Sequence, residues 1–187
     1  MEFVEKRLIE RARRDDREAF AELVEMYKDK IYQLAFRMTG NRQEAEDIAQ
    51  ETFLRVYANL HSYDINLKFS TWIYRIATNL CIDRGRKKKA DFSLDEEVAG
   101  SEGLDWHSRL PSKEKSPAEK VVIRELQETV QSALSQLAPK YRSIMILRYI
   151  EDLSLQEISE ALQLPITTIK TRIHRGREAL RGKLRFM

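Results

Sequence analysis

Lys68–Lys89, KFSTWIYRIATNLCIDRGRKKK, is the stretch on which the reading of this chain turns. Trp72, Ile73, Ile76, Ala77 and Leu80 recur at steps of three and four, the spacing of one apolar helical face. Tyr74, Arg75, Thr78, Asn79 and Arg86 are thereby turned toward another face. Ser70 or Thr71 is the expected N-cap, and the helix is expected to continue to about Lys88. It ends in a basic cluster, Arg84 to Lys89, with five basic residues and no acid.

The same period runs outward in both directions, and β-type alternation is absent, so the expected fold is all-α. Upstream, a short helix of about Phe3–Arg13 carries Val4, Leu8 and Ala12 on one side. Asp15 with Glu18 reads as a capping box for a helix of about Asp16–Thr39, which Gly40 ends. Asn41 with Glu44 opens a helix of about Arg42–Asn59, with Ala45, Ile48, Ala49, Thr52, Phe53 and Val56 inward, and a polar loop, His61–Phe69, follows. Residues 1–90 can thus close one apolar interior. Periodicity is lost over 91–116, read as a flexible linker although it holds Trp106, and resumes over 117–187. Ser116-Pro117-Ala118-Glu119 starts the next helix, Pro139 another, and Ser154 with Glu157 caps a short one. The expectation is two small helical domains joined by a tether.

The 187 residues are 42% hydrophobic and 34% charged, the profile of a soluble helical protein. Net charge is only +3, but it is unevenly placed: Lys170–Arg185 sets seven basic residues against Glu178 alone, while Asp91–Pro117 is acidic. Two basic poles and an acidic bridge point to nucleic acid. Cys81 is the single cysteine, which excludes an intramolecular disulfide and a cysteine-based zinc site. The charged start, MEFVEKRLIERARRDD, contains no signal-peptide segment, and no run approaches the roughly 18 apolar residues of a membrane span, so a cytoplasmic protein is expected.

Near the C-terminus, a short helix, a turn through Gln163, Leu164 and Pro165, and a last helix of about Thr167–Leu184 form a helix-turn-helix pattern. Leu155, Ile158, Leu162, Leu164, Ile169 and Ile173 are the positions such crossing helices bury, and Gly176, Leu180 and Leu184 continue the stripe. Recognition helices present their first residues to base edges, which selects Thr168, Thr171, Arg172 and Arg175 as base or phosphate readers. Lys170, Arg177 and Arg181 are expected to hold phosphates. Against this stands a merely solvated basic face, disfavoured by seven bases with one acid directly behind such a turn.

AEDIAQETFLRVY, KFSTWIYRIATNLCIDRGRKKK and LSLQEISEALQLPITTIKTRIHRGREAL, in this order, resemble the two domains of a bacterial sigma-70 family factor of the extracytoplasmic-function group. The linker segment LDEEVAGSEGL further resembles the sigma-W type of bacilli. The resemblance implies a dissociable subunit of RNA polymerase without catalysis, cofactor or metal of its own. Its first domain, 1–90, would dock on core polymerase and read and open the −10 element, and its second, 117–187, would read the −35 element. It assigns polymerase docking to Asp47, Gln50, Glu51 and Leu54, which at i, i+3, i+4 and i+7 share one helix face. It assigns the −10 strand to Tyr63, Phe69, Tyr74, Arg75 and Asn79, with Arg84, Arg86, Lys87 and Lys88 as a track for the backbone. Stacking of an unpaired base on an aromatic is worth roughly 1–3 kcal/mol. Trp72 shares the register of Ile76 and Leu80 and reads as core; Tyr74 is the better exposed candidate. Partners implied are promoter DNA and a membrane-anchored anti-sigma factor that sequesters both domains at the inner face of the membrane.

The chain departs from the family at Gln163, where a turn glycine is common, and at Thr167, where glycine usually precedes the recognition-helix threonine. The acidic Asp95, Glu96 and Glu97 are expected to mimic nucleic acid in a polymerase channel. Two readings compete. A helix-turn-helix regulator would bind duplex DNA without becoming a polymerase subunit. A metal-dependent nuclease using Glu44, Asp47 and Glu51 lacks a nearby histidine, His61, His107 and His174 being dispersed.

Overall fold

A computed structural model describes residues 2–92 and 117–184, with side chains over 3–87, at 123 and over 125–182. Eight α-helices make up the described residues: α1 (Glu2–Ala12), α2 (Arg17–Thr39), α3 (Arg42–Asn59), α4 (Phe69–Phe92), α5 (Pro117–Ser135), α6 (Pro139–Tyr149), α7 (Leu155–Leu162) and α8 (Ile166–Leu184). A single 3-10 turn, Leu60–Ser62, follows α3.

Local chemistry sets most boundaries. The α2 cap is Asp16 rather than Asp15: its carboxylate accepts from the Ala19 amide at 3.0 Å and is held by Arg11 at 2.8 Å. Asp15 instead takes a left-handed conformation, φ 62°, to turn the chain from α1 into α2. Gly40 ends α2 at φ 72°, its amide returned to the Phe36 carbonyl. Asn41 caps α3 through the Glu44 amide at 2.9 Å. Ser154 and Glu157 form a reciprocal capping box on α7. Neither Ser70 nor Thr71 caps α4, which starts at Phe69 with the Trp72 amide bonded to the Lys68 carbonyl. Thr71 is buried instead, its hydroxyl without a hydrogen-bond partner. The helix also runs past Lys88, to Phe92. Val4, expected inward, is exposed, and Ile9 takes the inward place.

Leu23, Ile31, Leu34, Ile48, Ile73 and Leu60 are fully buried where α1 to α4 meet. Each such side chain contributes roughly 1.5–3 kcal/mol. Ile144, Ile146, Leu147, Ile158 and Ile169 do the same for α6 to α8. The two sets join in one apolar cluster, because α2 packs on α5 and α6 while α4 packs on α7 and α6. At this seam Arg142 donates to the Met38 carbonyl of α2 and, within its own half, to the carbonyls of Ser135 and Leu137. The Gln131 amide reaches the Phe36 and Arg37 carbonyls at 3.5 and 3.4 Å.

Candidate nucleic-acid interface

The α7–turn–α8 unit is built as its sequence requires. Gln163 ends α7 in the left-handed region, φ 52° and ψ 47°, with its amide on the Ser159 carbonyl. This is the position where the missing glycine matters, since a side chain there costs about 1–2 kcal/mol. The Ser159 hydroxyl ties the turn down by donating to the Leu164 carbonyl at 2.6 Å. Ile158, Ala161 and Ile169 are buried between the two helices. Thr171, Lys170, Arg175, Arg177 and Arg181 are exposed, and Thr168 and Arg172 are half-buried.

Thr168, Thr171, Arg172 and Arg175 line one shallow groove, which Thr167, Lys140 and Tyr141 complete. The last two belong to the start of α6, and the sequence reading missed them because a lone Lys-Tyr pair behind a proline carries no signal of which helix it will face. The α6–α8 approach that places them is close: a β-carbon at Gly176 would lie 2.9 Å from Met145 Sδ. The Tyr141 phenol is held below its ordinary range, chiefly by a hydrogen bond from Arg175. Arg181 is paired with Glu178 at 3.1 Å. Lys170 and Arg177, both exposed and outside the groove lining, extend a basic track beyond it.

On α3, Asp47, Gln50, Glu51 and Leu54 share a surface, with Leu54 65% exposed on an otherwise polar face. Asp47 pairs with Arg84 of α4 at 3.2 Å and Glu51 with Arg55 at 2.8 Å. These guanidinium partners oppose a metal role for the two carboxylates, since a cation would have to displace them. The Asp47–Arg84 pair also joins the expected docking face to the expected phosphate track.

The loop before α4 is folded onto the core. Phe69 is 1% exposed and Tyr63 4%, and Phe69 packs edge-on against Tyr27 and Tyr63 with centroids 5.4 and 5.5 Å apart. Trp72 is half-buried against Tyr63, 4.9 Å between centroids. The Tyr63 hydroxyl donates to the Leu67 carbonyl, and burial pushes its phenol up to about 12. A cavity nevertheless opens beside them, lined by Glu5, Lys6, Tyr63, Asn66, Leu67 and Phe69 among others.

Tyr74 corrects the sequence reading. Expected to be exposed, it is 2% exposed, and its hydroxyl donates to Glu151 at 2.5 Å. The α4 register turns it toward the seam with the second half, which a single-helix argument cannot see. Thr78, placed on the same outer face, is fully buried. Asn79, Arg86 and Lys87 are exposed, and Arg75 and Arg84 half-buried. The Lys88 side chain, the acidic Asp95, Glu96 and Glu97, Trp106 and the Ser116 cap lie outside the described residues.

Residues 23–90 match the family model of sigma-70 region 2, and 127–180 that of sigma-70 region 4. The chain is 56% identical over 185 residues to the ECF RNA polymerase sigma factor SigW of Bacillus subtilis, covering 99% of each. Among solved structures it resembles CnrH in complex with the cytosolic domain of CnrY, with TM-score 0.69, 23% identity and 97% of each chain covered. It also resembles the sigma factor RpoE in complex with the anti-sigma factor NepR from Bartonella quintana, with TM-score 0.70 and 21% identity over 89% of this chain and 96% of that one. These two likenesses bear on the fold.

Proposed function

This chain belongs to the extracytoplasmic-function sigma factors of the sigma-70 family, and from that premise we propose that it is a non-catalytic initiation subunit of bacterial RNA polymerase. It binds core polymerase, recognises promoter DNA at −35 and −10 and helps open the −10 region for transcription of a cell-envelope stress regulon. The observation that carries the reading is the full-length likeness to SigW, 56% identical across both halves in one order. A regulator that shared only the helix-turn-helix would match the second half alone.

In this reading residues 1–90 form the docking and −10 domain, 91–116 the linker and 117–187 the −35 domain. The outer face of α8 enters the major groove, with Thr168, Thr171, Arg172 and Arg175 at its base-facing end and Lys170, Arg177 and Arg181 toward phosphates. The α3 face of Asp47, Gln50, Glu51 and Leu54 meets polymerase, where an exposed leucine ringed by polar groups suits a protein contact. The −10 strand passes Arg75 and Asn79, with Arg84, Arg86, Lys87 and Lys88 along its backbone, while Tyr63, Phe69 and Tyr74 lie buried beneath that surface and support it. An anti-sigma factor holds the chain inactive, consistent with the anti-sigma factor bound in the related RpoE structure. No helix among the described residues is long and apolar enough to cross a membrane, and we place the chain in the cytoplasm, recruited to the membrane only through that partner.

Reconstituted transcription tests the proposal. Core polymerase supplemented with this chain should initiate from a distinct subset of a randomised promoter library. Initiation that still requires another sigma factor, with duplex binding by the chain alone, would establish the regulator instead.

A further inference from the structure

The groove on α8 is walled on one side by the start of α6, and the contact between the two helices falls on Arg175. A β-carbon at Gly176 would stand 2.9 Å from Met145 Sδ and 3.9 Å from Tyr141 Cβ, so the close approach of α6 depends on this glycine. It brings the Tyr141 ring, half-buried against the apolar cluster, beside the residue that precedes the glycine. The Arg175 guanidinium donates to the Tyr141 hydroxyl, and Lys140 Nζ stands 5.1 Å from the ring centroid. Glu178, the acid of α8, is taken by Arg181 at 3.1 Å. Arg175 is thus oriented by a phenol rather than by a carboxylate. A phenol directs a guanidinium without cancelling the charge that DNA attracts.

We propose that Tyr141 is a positioning residue for −35 recognition, aiming Arg175 at a base edge and so making the start of α6 a determinant of promoter preference. The inference rests on the −35 reading of α8 given above and deepens it. Recognition helices read bases mainly from their first residues. Arg175 is exposed and lies two turns beyond Thr168, about 10 Å further along the axis. An unheld arginine at that place would reach phosphate oxygens as readily as a base. Held by Tyr141, Arg175 lines the same groove as Thr168, Thr171 and Arg172. Orienting it before DNA arrives removes part of the ordering cost of a directional contact. Loss of the phenol hydroxyl should therefore reduce discrimination at one base position, about two- to tenfold, rather than binding to all sequences.

Holoenzyme reconstituted from core polymerase and the full chain tests this on promoters carrying every single-base substitution across the −35 element of one strong initiator drawn from a randomised library. Tyr141→Phe, which keeps the half-buried ring, should flatten the preference at one position about two- to tenfold. Arg175→Ala should flatten the same position, and Tyr141→Phe added to it should change nothing further. A Tyr141→Phe profile identical to wild type overturns the proposal, as does an effect that persists undiminished in the Arg175→Ala background. The contact itself is read in the free chain from 13C-labelled tyrosine. The ring-carbon resonance lost in Tyr141→Phe should titrate at higher pH in Arg175→Ala than in wild type, and an unmoved titration overturns the proposal. Arg172→Ala separates the two readings. If it relaxes a −35 position while Tyr141→Phe relaxes none, only the positioning role falls. If Arg172→Ala and Arg175→Ala both leave every −35 preference unchanged, the −35 reading falls and the positioning role with it.

Discussion

Arg172 lines the α8 groove with Thr168 and Thr171 and is half-buried there, so part of its side chain is already packed before DNA arrives. A guanidinium at this place can make a bidentate contact with a base edge, worth about 1–3 kcal/mol. Arg172→Ala should reduce −35 binding by about that amount and relax preference at one base position, measured by competition across single-substitution duplexes. Exposed Lys170 should behave differently, its loss weakening all sequences alike. Glu157 makes the pH-dependent contribution. Its carboxyl lies at about 2 against an ordinary 4.5, with Lys68 the leading cause. Because the folded value is the lower one, the stabilisation is fully present above about pH 4.5 and is lost as pH falls toward 2. Urea unfolding of wild type and Glu157→Gln should differ most above that window and converge at its acid end.

Among the elements, the α7–α8 turn carries a strain that the sequence itself announces. Gln163 sits at φ 52°, where a glycine would lose the clash of its β-carbon with the carbonyl. Relief of about 1–2 kcal/mol outweighs the added unfolded-chain freedom of roughly 0.4–1 kcal/mol. Gln163→Gly should therefore stabilise the protein modestly, by up to about 1 kcal/mol in chemical denaturation, without altering promoter choice. The reverse holds at Gly40, whose φ of 72° leaves alanine strained. On α4 the element reading needs its neighbours: Thr78 is fully buried with no partner for its hydroxyl, although helical spacing alone groups it with exposed Asn79. The α3 face shows the opposite case, its four expected docking residues being brought together by helical period and nothing else.

For the whole molecule, the two halves share one apolar cluster, and Arg142 is a polar bolt across it beside Gln131, Tyr74–Glu151 and Lys68–Glu157. Its guanidinium serves the Met38 carbonyl of one half and the Ser135 and Leu137 carbonyls of the other, with burial lowering its pKa. Removing it leaves those carbonyls without that donor, at about 1–3 kcal/mol for each group left unsatisfied. Arg142→Ala should split a single urea transition into two, followed by helical circular dichroism and by tryptophan fluorescence. A single unshifted transition would show that the apolar cluster and the remaining polar contacts, among them Tyr74–Glu151 and Lys68–Glu157, couple the halves without Arg142. The helices, the Asn41 and Ser154 caps, the Gly40 stop and the basic face of α8 were all determined by the sequence, because each rests on groups within about four residues of one another. The burial of Tyr74 and the engagement of Lys68 were decided only in three dimensions. Their partners lie 77 and 89 residues away, where no helical period reaches and only the packing of α4 on the second half brings the carboxylates to them.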